Sequence, residues 1–189
     1  MPPPLFPTPS QNLRPLSTCD RFTLLAADMA AIAAQYGYTG RVPDFALSQA
    51  AHETGLFTSD LLLRANNAFG MRIAHQRPQP RIGESNGYAV YDDLRDSIAD
   101  YFDRQRAFGI PNTNDPAAYI AATVASGYAT SPEYAQRWRH FIDLADATDF
   151  GTAYRLDECA DTYAPPVQAE AGSGGLLLLL LLALAAELK

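Results

Sequence analysis

The sequence lacks an uncharged apolar run long enough to cross a bilayer. Its longest, Leu176 to Ala186, has 11 residues, whereas a spanning helix needs about 20. Basic residues are in the minority, with 14 against 21 acidic ones and a formal net charge of −7. That balance excludes a protein drawn to nucleic acid or an anionic membrane by long-range attraction, and leaves room only for a local basic groove. Histidine is scarce: His52, His75 and His140 show no ligand spacing. His52-Glu53 begins like a zinc-protease helix, but position 56, where the second histidine would stand, is Leu56. No Gly-x-Ser-x-Gly turn occurs, so a serine triad on that elbow has no support. No metal and no cofactor are expected. Cysteine is limited to Cys19 and Cys159. A bridge between them would close a loop of about 140 residues and stabilise by about 5 kcal/mol at most. Two free thiols are the alternative, and a thiol titration without reductant separates the two states. The front end has neither a basic nor an apolar stretch of the kind that opens a secretory signal, so Sec export is not expected.

What is present divides the 189 residues into one domain with unusual ends. Residues 1–17 form a proline-rich arm, six prolines standing in the first sixteen positions, and are expected to be extended and solvated. Residues 18–164 are the domain, 165–175 a Gly/Ser-containing linker, and 176–189 a leucine-rich tail. The segment Leu176–Leu188 inflates the 48% hydrophobic content; without it the rest falls to roughly 45%, ordinary for a globular domain. The tail is read as packing on its own domain or on another protein, with a shallow membrane anchor or a disordered end as alternatives.

Within the domain, apolar residues from Asp20 to Tyr36 recur at three- and four-residue steps and stop at Gly37, which predicts an amphipathic helix. Pro43 opens a second helix of mostly small and apolar residues that stops at Gly55, and its composition predicts burial. A short helix is expected over Ser59–Arg64. Residues Ala68–Tyr91 lose the helical period, and Asn86-Gly87 followed by Tyr88-Ala89-Val90-Tyr91 predicts a hairpin. Helices follow from Asp92 or Asp93, from Asp115-Pro116 to Gly127, and from Ser131-Pro132, the last with Tyr134, Trp138, Phe141 and Ile142 on one face. The fold class is α+β and mostly helical, with one small β lobe.

Glu53 leaves the apolar second helix, where burial penalises the ionised carboxylate and raises its pKa toward that of a useful general acid. The alternative is a solvated residue at a helix end. Four blocks widen this reading: Gln49-Ala50-Ala51-His52-Glu53-Thr54-Gly55; Asn66-Asn67-Ala68-Phe69-Gly70-Met71-Arg72; Tyr91 with Ser97-Ile98-Ala99-Asp100-Tyr101; and Gly127-Tyr128-Ala129-Thr130-Ser131-Pro132-Glu133-Tyr134-Ala135. Between Arg41 and Asp146 they resemble, in order and spacing, the glucosaminidase domain of glycoside hydrolase family 73, which includes autolysins, flagellar rod-assembly hydrolases and phage lysins.

The resemblance implies a lysozyme-like fold with a cleft beside a β-hairpin lobe. It also implies cleavage of the β-1,4 bond after N-acetylglucosamine in peptidoglycan glycan strands. It maps the general acid onto Glu53 and a second important group onto Tyr128. A second carboxylate is assigned to Glu84 beside the hairpin turn, with Asp92 or Asp93 in reserve, and substrate assistance by the 2-acetamido group would need none of them. Substrate contacts are assigned to Asn67, Phe69, Tyr88, Tyr91 and Tyr134, with Asn67 also readable as a loop-fixing residue. Thr54 stands for the family's usual serine and Ser131 for its frequent aspartate. The alternatives are a muramidase or lytic transglycosylase on a similar fold, and a non-catalytic wall-binding or virion module. The expected partner is peptidoglycan, with no nucleic acid, and the setting is the cell envelope or a phage virion, the 176–188 tail serving for docking to protein or membrane.

An acidic chain has no long-range attraction to an anionic wall. Lysis of purified sacculi is therefore expected to change little with added salt, and strong inhibition by ~0.2 M salt would show the opposite.

Overall fold

The structure, a computed structural model, describes residues 7–148. Cys159, the linker 165–175 and the tail 176–189 lie outside the described residues, and with them the Cys19–Cys159 bridge.

Helix α1, Thr18–Gln35, opens on a reciprocal capping box: the Asp20 N–H donates to Ser17 Oγ and the Ser17 N–H to Asp20 Oδ2. Its buried stripe is Phe22, Leu25, Met29, Ile32 and Ala33, as the sequence period predicts. Helix α2, Val42–Glu53, buries every residue from Phe45 to Ala51. Its small side chains allow α1 and a later helix, α6 (Tyr134–Ala147), to pack directly on it. Helix α3, Asp60–Ala65, is capped by Ser59 and ends at Asn66, whose φ of +49° turns the chain into the lobe. Helices α4 (Leu94–Ala107) and α5 (Pro116–Ala125) are capped by Asp93 and Asp115. Helix α6 begins later than Ser131-Pro132 suggested. The Tyr134 N–H bonds to the Ser131 carbonyl, so that pair forms a turn leading into the helix.

Strands β1 (Gly83–Ser85) and β2 (Tyr88–Val90) pair antiparallel around Asn86-Gly87, with Glu84 opposite Ala89. Both turn residues have positive φ, +52° and +80°, which suits Asn-Gly in a tight hairpin. The hairpin sits on the loop after α3 through Ala89 N–H to Met71 O and Tyr91 N–H to Ala65 O. A buried ion pair from Arg77 to Asp100 of α4 ties the lobe to the helical body.

From Pro7 onward the proline-rich arm is docked on the domain rather than free, although many of its side chains stay exposed. Leu13 is fully buried, Ser10 bonds Asp92 through both its N–H and its hydroxyl, and Gln11 accepts from the Leu94 N–H. A buried arginine, Arg21 of α1, organises the segment by donating to the carbonyls of Leu13, Arg14 and Leu16, and across to Phe57. Proline prevents helix there, but it leaves the carbonyls free to be gathered by one cation. Arg21→Met is expected to lower stability by about 3 kcal/mol, because several buried carbonyls lose a charged donor. Limited proteolysis should then cut first within residues 7–17, and unchanged resistance would contradict this role.

Candidate active site

Glu53 is the last residue of α2, half-buried, and followed by an uncommon turn. Gly55, Leu56 and Phe57 all have positive φ, +56°, +59° and +64°. For Leu and Phe that conformation is costly. Thr54 holds it: its Oγ1 donates to the Ala50 carbonyl and accepts from the Phe57 N–H at 2.9 Å. Both bonds use only the hydroxyl, which explains why threonine can stand where serine is usual.

The two oxygens of Glu53 have different surroundings. Oε1 accepts the Tyr134 hydroxyl at 2.5 Å. Oε2 faces Gly70, where φ is +61° and a Cβ would come to 3.1 Å from that oxygen. Burial raises the Glu53 pKa, and the Tyr134 hydrogen bond partly offsets the rise. Since Tyr134 occupies Oε1, a proton bound to this carboxyl group would sit on Oε2, on the side that glycine keeps clear. A carboxylic acid held in this way can protonate a leaving oxygen.

Tyr128 follows Gly127, whose φ of +80° ends the α5 region. Its hydroxyl donates to the Phe69 carbonyl at 2.5 Å, immediately before Gly70. Its ring lies 6.0 Å from that of Tyr134, and the Arg104 guanidinium sits 4.7 Å over it. Burial, the Tyr134 phenol and the Glu53 charge hold the Tyr128 phenol well above its ordinary pKa, so it stays a neutral donor. His52 packs against Tyr134 and Phe141, and burial followed by the nearby Arg137 lowers its pKa. It forms an apolar backing to Tyr134. Among the described residues no group of three His, Cys, Asp or Glu side chains is placed to hold a metal.

Several expected substrate contacts are corrected. Phe69 is fully buried, with its ring stacked 4.1 Å from that of Tyr101, and offers no face to a sugar. Tyr91 is also fully buried and donates to Asp100 Oδ2 at 2.5 Å. Asn67 is buried and spans its own loop and the hairpin, donating to Met71 O and Ala89 O while accepting from the Met71 N–H. It fixes the Gly70 loop rather than a substrate. Tyr134 bonds the acid itself. Tyr88 stays half-exposed under the Arg72 guanidinium. The reserve carboxylates are engaged elsewhere: Asp92 holds Ser10, which lowers its pKa, and Asp93 caps α4. Glu84 is exposed at the middle of β1. Sequence reasoning missed Gln49, one turn before Glu53 on the same face of α2, which donates to the Tyr134 hydroxyl at 2.7 Å.

Comparison with solved structures places this architecture among lysozyme-like domains. A chain of a type VI secretion system effector–immunity complex from Pseudomonas protegens matches with a TM-score of 0.56 at 22% identity, covering 75% of this chain and 93% of that one. A peptidoglycan hydrolase from Sphingomonas sp. A1 matches at 0.54 and 23%, covering 80% and 98%. The glycoside hydrolase domain of Salmonella typhimurium FlgJ matches at 0.54 and 18%, covering 78% and 100%. At such identities these likenesses show the fold. No curated protein sequence matches the chain. The model of the glucosaminidase family, described as mannosyl-glycoprotein endo-beta-N-acetylglucosaminidase, matches residues 28–146 and so spans Glu53, Gly70, Tyr128 and Tyr134; the chain belongs to that family.

Proposed function

We propose that this protein is a peptidoglycan hydrolase of the endo-β-N-acetylglucosaminidase type, acting on glycan strands in the bacterial cell envelope. The observation that carries the reading is Glu53: a carboxyl group whose pKa burial raises, gripped at one oxygen by Tyr134 and cleared at the other by Gly70. Family membership gives the bond type, and the fold neighbours described as peptidoglycan hydrolases give the substrate class. Likeness to a chain of a secretion-system effector–immunity complex supports an envelope setting.

In this mechanism Glu53 protonates the glycosidic oxygen as the bond to C1 breaks. The neutral Tyr128 phenol steadies the oxocarbenium-like sugar or its acetamido group. Glu84 takes the part of the second carboxylate and activates water. It is the one carboxylate of the hairpin, and Asp92 and Asp93 are already committed to structural bonds.

Glu53→Gln should abolish clearing of purified sacculi, and mass spectrometry of wild-type digests should show reducing N-acetylglucosamine ends. Clearing by the variant at the wild-type rate, or anhydro-muramic ends, would overturn the reading. Glu84→Gln is expected to lose about 100-fold in rate while the fold is kept; an unchanged rate would instead indicate assistance by the acetamido group.

The raised pKa also fixes two pH dependences. Activity should persist above the ordinary carboxylate range and fall as pH rises through the raised value, because the acid form is the active one. Stability runs the same way. The folded state binds the Glu53 proton more tightly than the unfolded chain does, so stability declines as pH rises from the ordinary glutamate value through the folded one. Thermal melts of Glu53→Gln should show a weaker decline across that window.

A further inference from the structure

Behind Tyr134 runs a line of buried polar side chains that the general-acid step does not use. Arg104 Nη1 donates to Gln105 Oε1 at 3.0 Å. Gln105 Nε2 donates to the Tyr101 hydroxyl at 3.0 Å. The Tyr101 hydroxyl donates to Gln49 Oε1 at 2.6 Å, and Gln49 Nε2 donates to the Tyr134 hydroxyl at 2.7 Å. Tyr134 then donates to Glu53.

The direction of the line follows from its first member and from the relative strength of the acceptors at Tyr101. A guanidinium has no acceptor, so the Gln105 oxygen must face Arg104 and its amide nitrogen must face the hydroxyls of Tyr101, Tyr119 and Thr123, each 3.0 Å away. Tyr101, already accepting from Gln105, places its hydrogen on the nearer and stronger acceptor, Gln49 Oε1 at 2.6 Å, and the Tyr119 hydroxyl, 3.1 Å away, is left to donate to it. Gln49 is thereby set with its oxygen toward Tyr101 and its NH2 toward Tyr134, which leaves the Tyr134 hydrogen nowhere to go but Glu53. Gln49, Tyr101 and Gln105 are fully buried, so water does not compete for these bonds.

We propose that Arg104, Gln105, Tyr101 and Gln49 are positioning residues: a one-way hydrogen-bond relay that orients the Tyr134 hydroxyl onto Glu53 Oε1 and reserves Oε2 for the proton delivered to substrate. Aligned hydrogen bonds in a dry interior polarise one another, so the cation at the far end strengthens the last bond. Arg104 also lies over Tyr128. The same side chain therefore steadies both groups at the reacting end. The titratable groups around Glu53 and its partner are Tyr134 on α6; Tyr128 after α5; Arg104 on α4; and His52 on α2, beside which stands Arg137, itself paired with the exposed Glu133. Glu133 is the one carboxylate of this set, and its charge is engaged by Arg137. The relay's part in turnover rests on Glu53 being the acid.

Tyr101→Phe is the test, since it cuts the line at its middle, touches neither Glu53 nor Tyr134, and keeps the ring that stacks on Phe69. The Glu53 carboxyl, followed by carbon-detected NMR in the free full-length protein, should titrate at higher pH than in wild type. The basic limb of kcat/KM on sacculi should move up with it. The plateau should fall about tenfold through kcat, as expected for a displaced reacting group, with KM unchanged. Arg104→Lys, which keeps a cation facing Gln105, should restore most of the wild-type titration relative to Arg104→Gln. A Glu53 titration unmoved in Tyr101→Phe, with only the melting temperature lowered, would reduce these residues to core packing and overturn the proposal. That outcome is separable from failure of the hydrolase reading, which would show as activity in Glu53→Gln with the NMR shift still present.

Discussion

Tyr134 donates its only proton to a carboxyl group that burial is trying to keep neutral, and this bond joins the first residue of α6 to the last residue of α2. It needs the two helices to meet closely and in one register. That explains why residues 45–51 of α2 are Ala, Ser, Gln and two larger apolar residues, all buried, and why Trp138 of α6 donates its indole N–H to the Phe45 carbonyl one side chain deeper. A bulkier α2 would hold the helices apart and leave both the phenol and the carboxyl without a partner. The helical core thus acts as a jig for one short hydrogen bond, and the lobe completes it by bringing Gly70 to the other oxygen.

The helices were legible because their buried faces repeat with the helical period and their ends carry Ser, Asp, Pro and Gly at positions with a local reason to be there. The hairpin was legible for the same reason at Asn86-Gly87. Glu53 stood out by its place at the end of an apolar helix, which by itself also suits a solvated helix end; the blocks around it, by their resemblance, singled it out as the candidate acid. Less legible was the division of the polar and aromatic residues around it. Asn67, Phe69 and Tyr91 stand beside site residues in sequence, yet they fill the junction between lobe and body: the Ala68 N–H bonds Ser97 Oγ, and Tyr91 bonds Asp100. An aromatic ring that stacks on a sugar and one that stacks on Tyr101 have the same local sequence signature, since burial is decided by residues 30 or more positions away. The docking of residues 7–17 was hidden for a related reason. Proline-rich composition describes what a segment cannot form by itself, and says nothing of an arginine on the next helix that gathers its carbonyls.

Two buried arginines, Arg21 and Arg104, show how the fold uses cations without neutralising them. Neither forms an ion pair among the described residues; Arg21 ends on backbone carbonyls, and Arg104 on Gln105, Ser126 and two aromatic faces. Carbonyl and amide oxygens satisfy the guanidinium hydrogens while leaving the positive charge uncancelled, whereas a carboxylate partner would end its field within a few ångströms. For Arg21 the consequence is mechanical: one side chain holds the proline segment and the left-handed turn after Glu53 together. For Arg104 it is electrostatic. The charge remains available along the line of donors and over the Tyr128 ring, where the proposed mechanism leaves a negative carboxylate on Glu53. In the proposed mechanism Glu53 must be reluctant to ionise before the reaction and tolerable as an anion immediately after it. Burial supplies the reluctance, and an unpaired cation reached through oriented hydrogen bonds supplies the tolerance without placing a competing charge in contact with the acid.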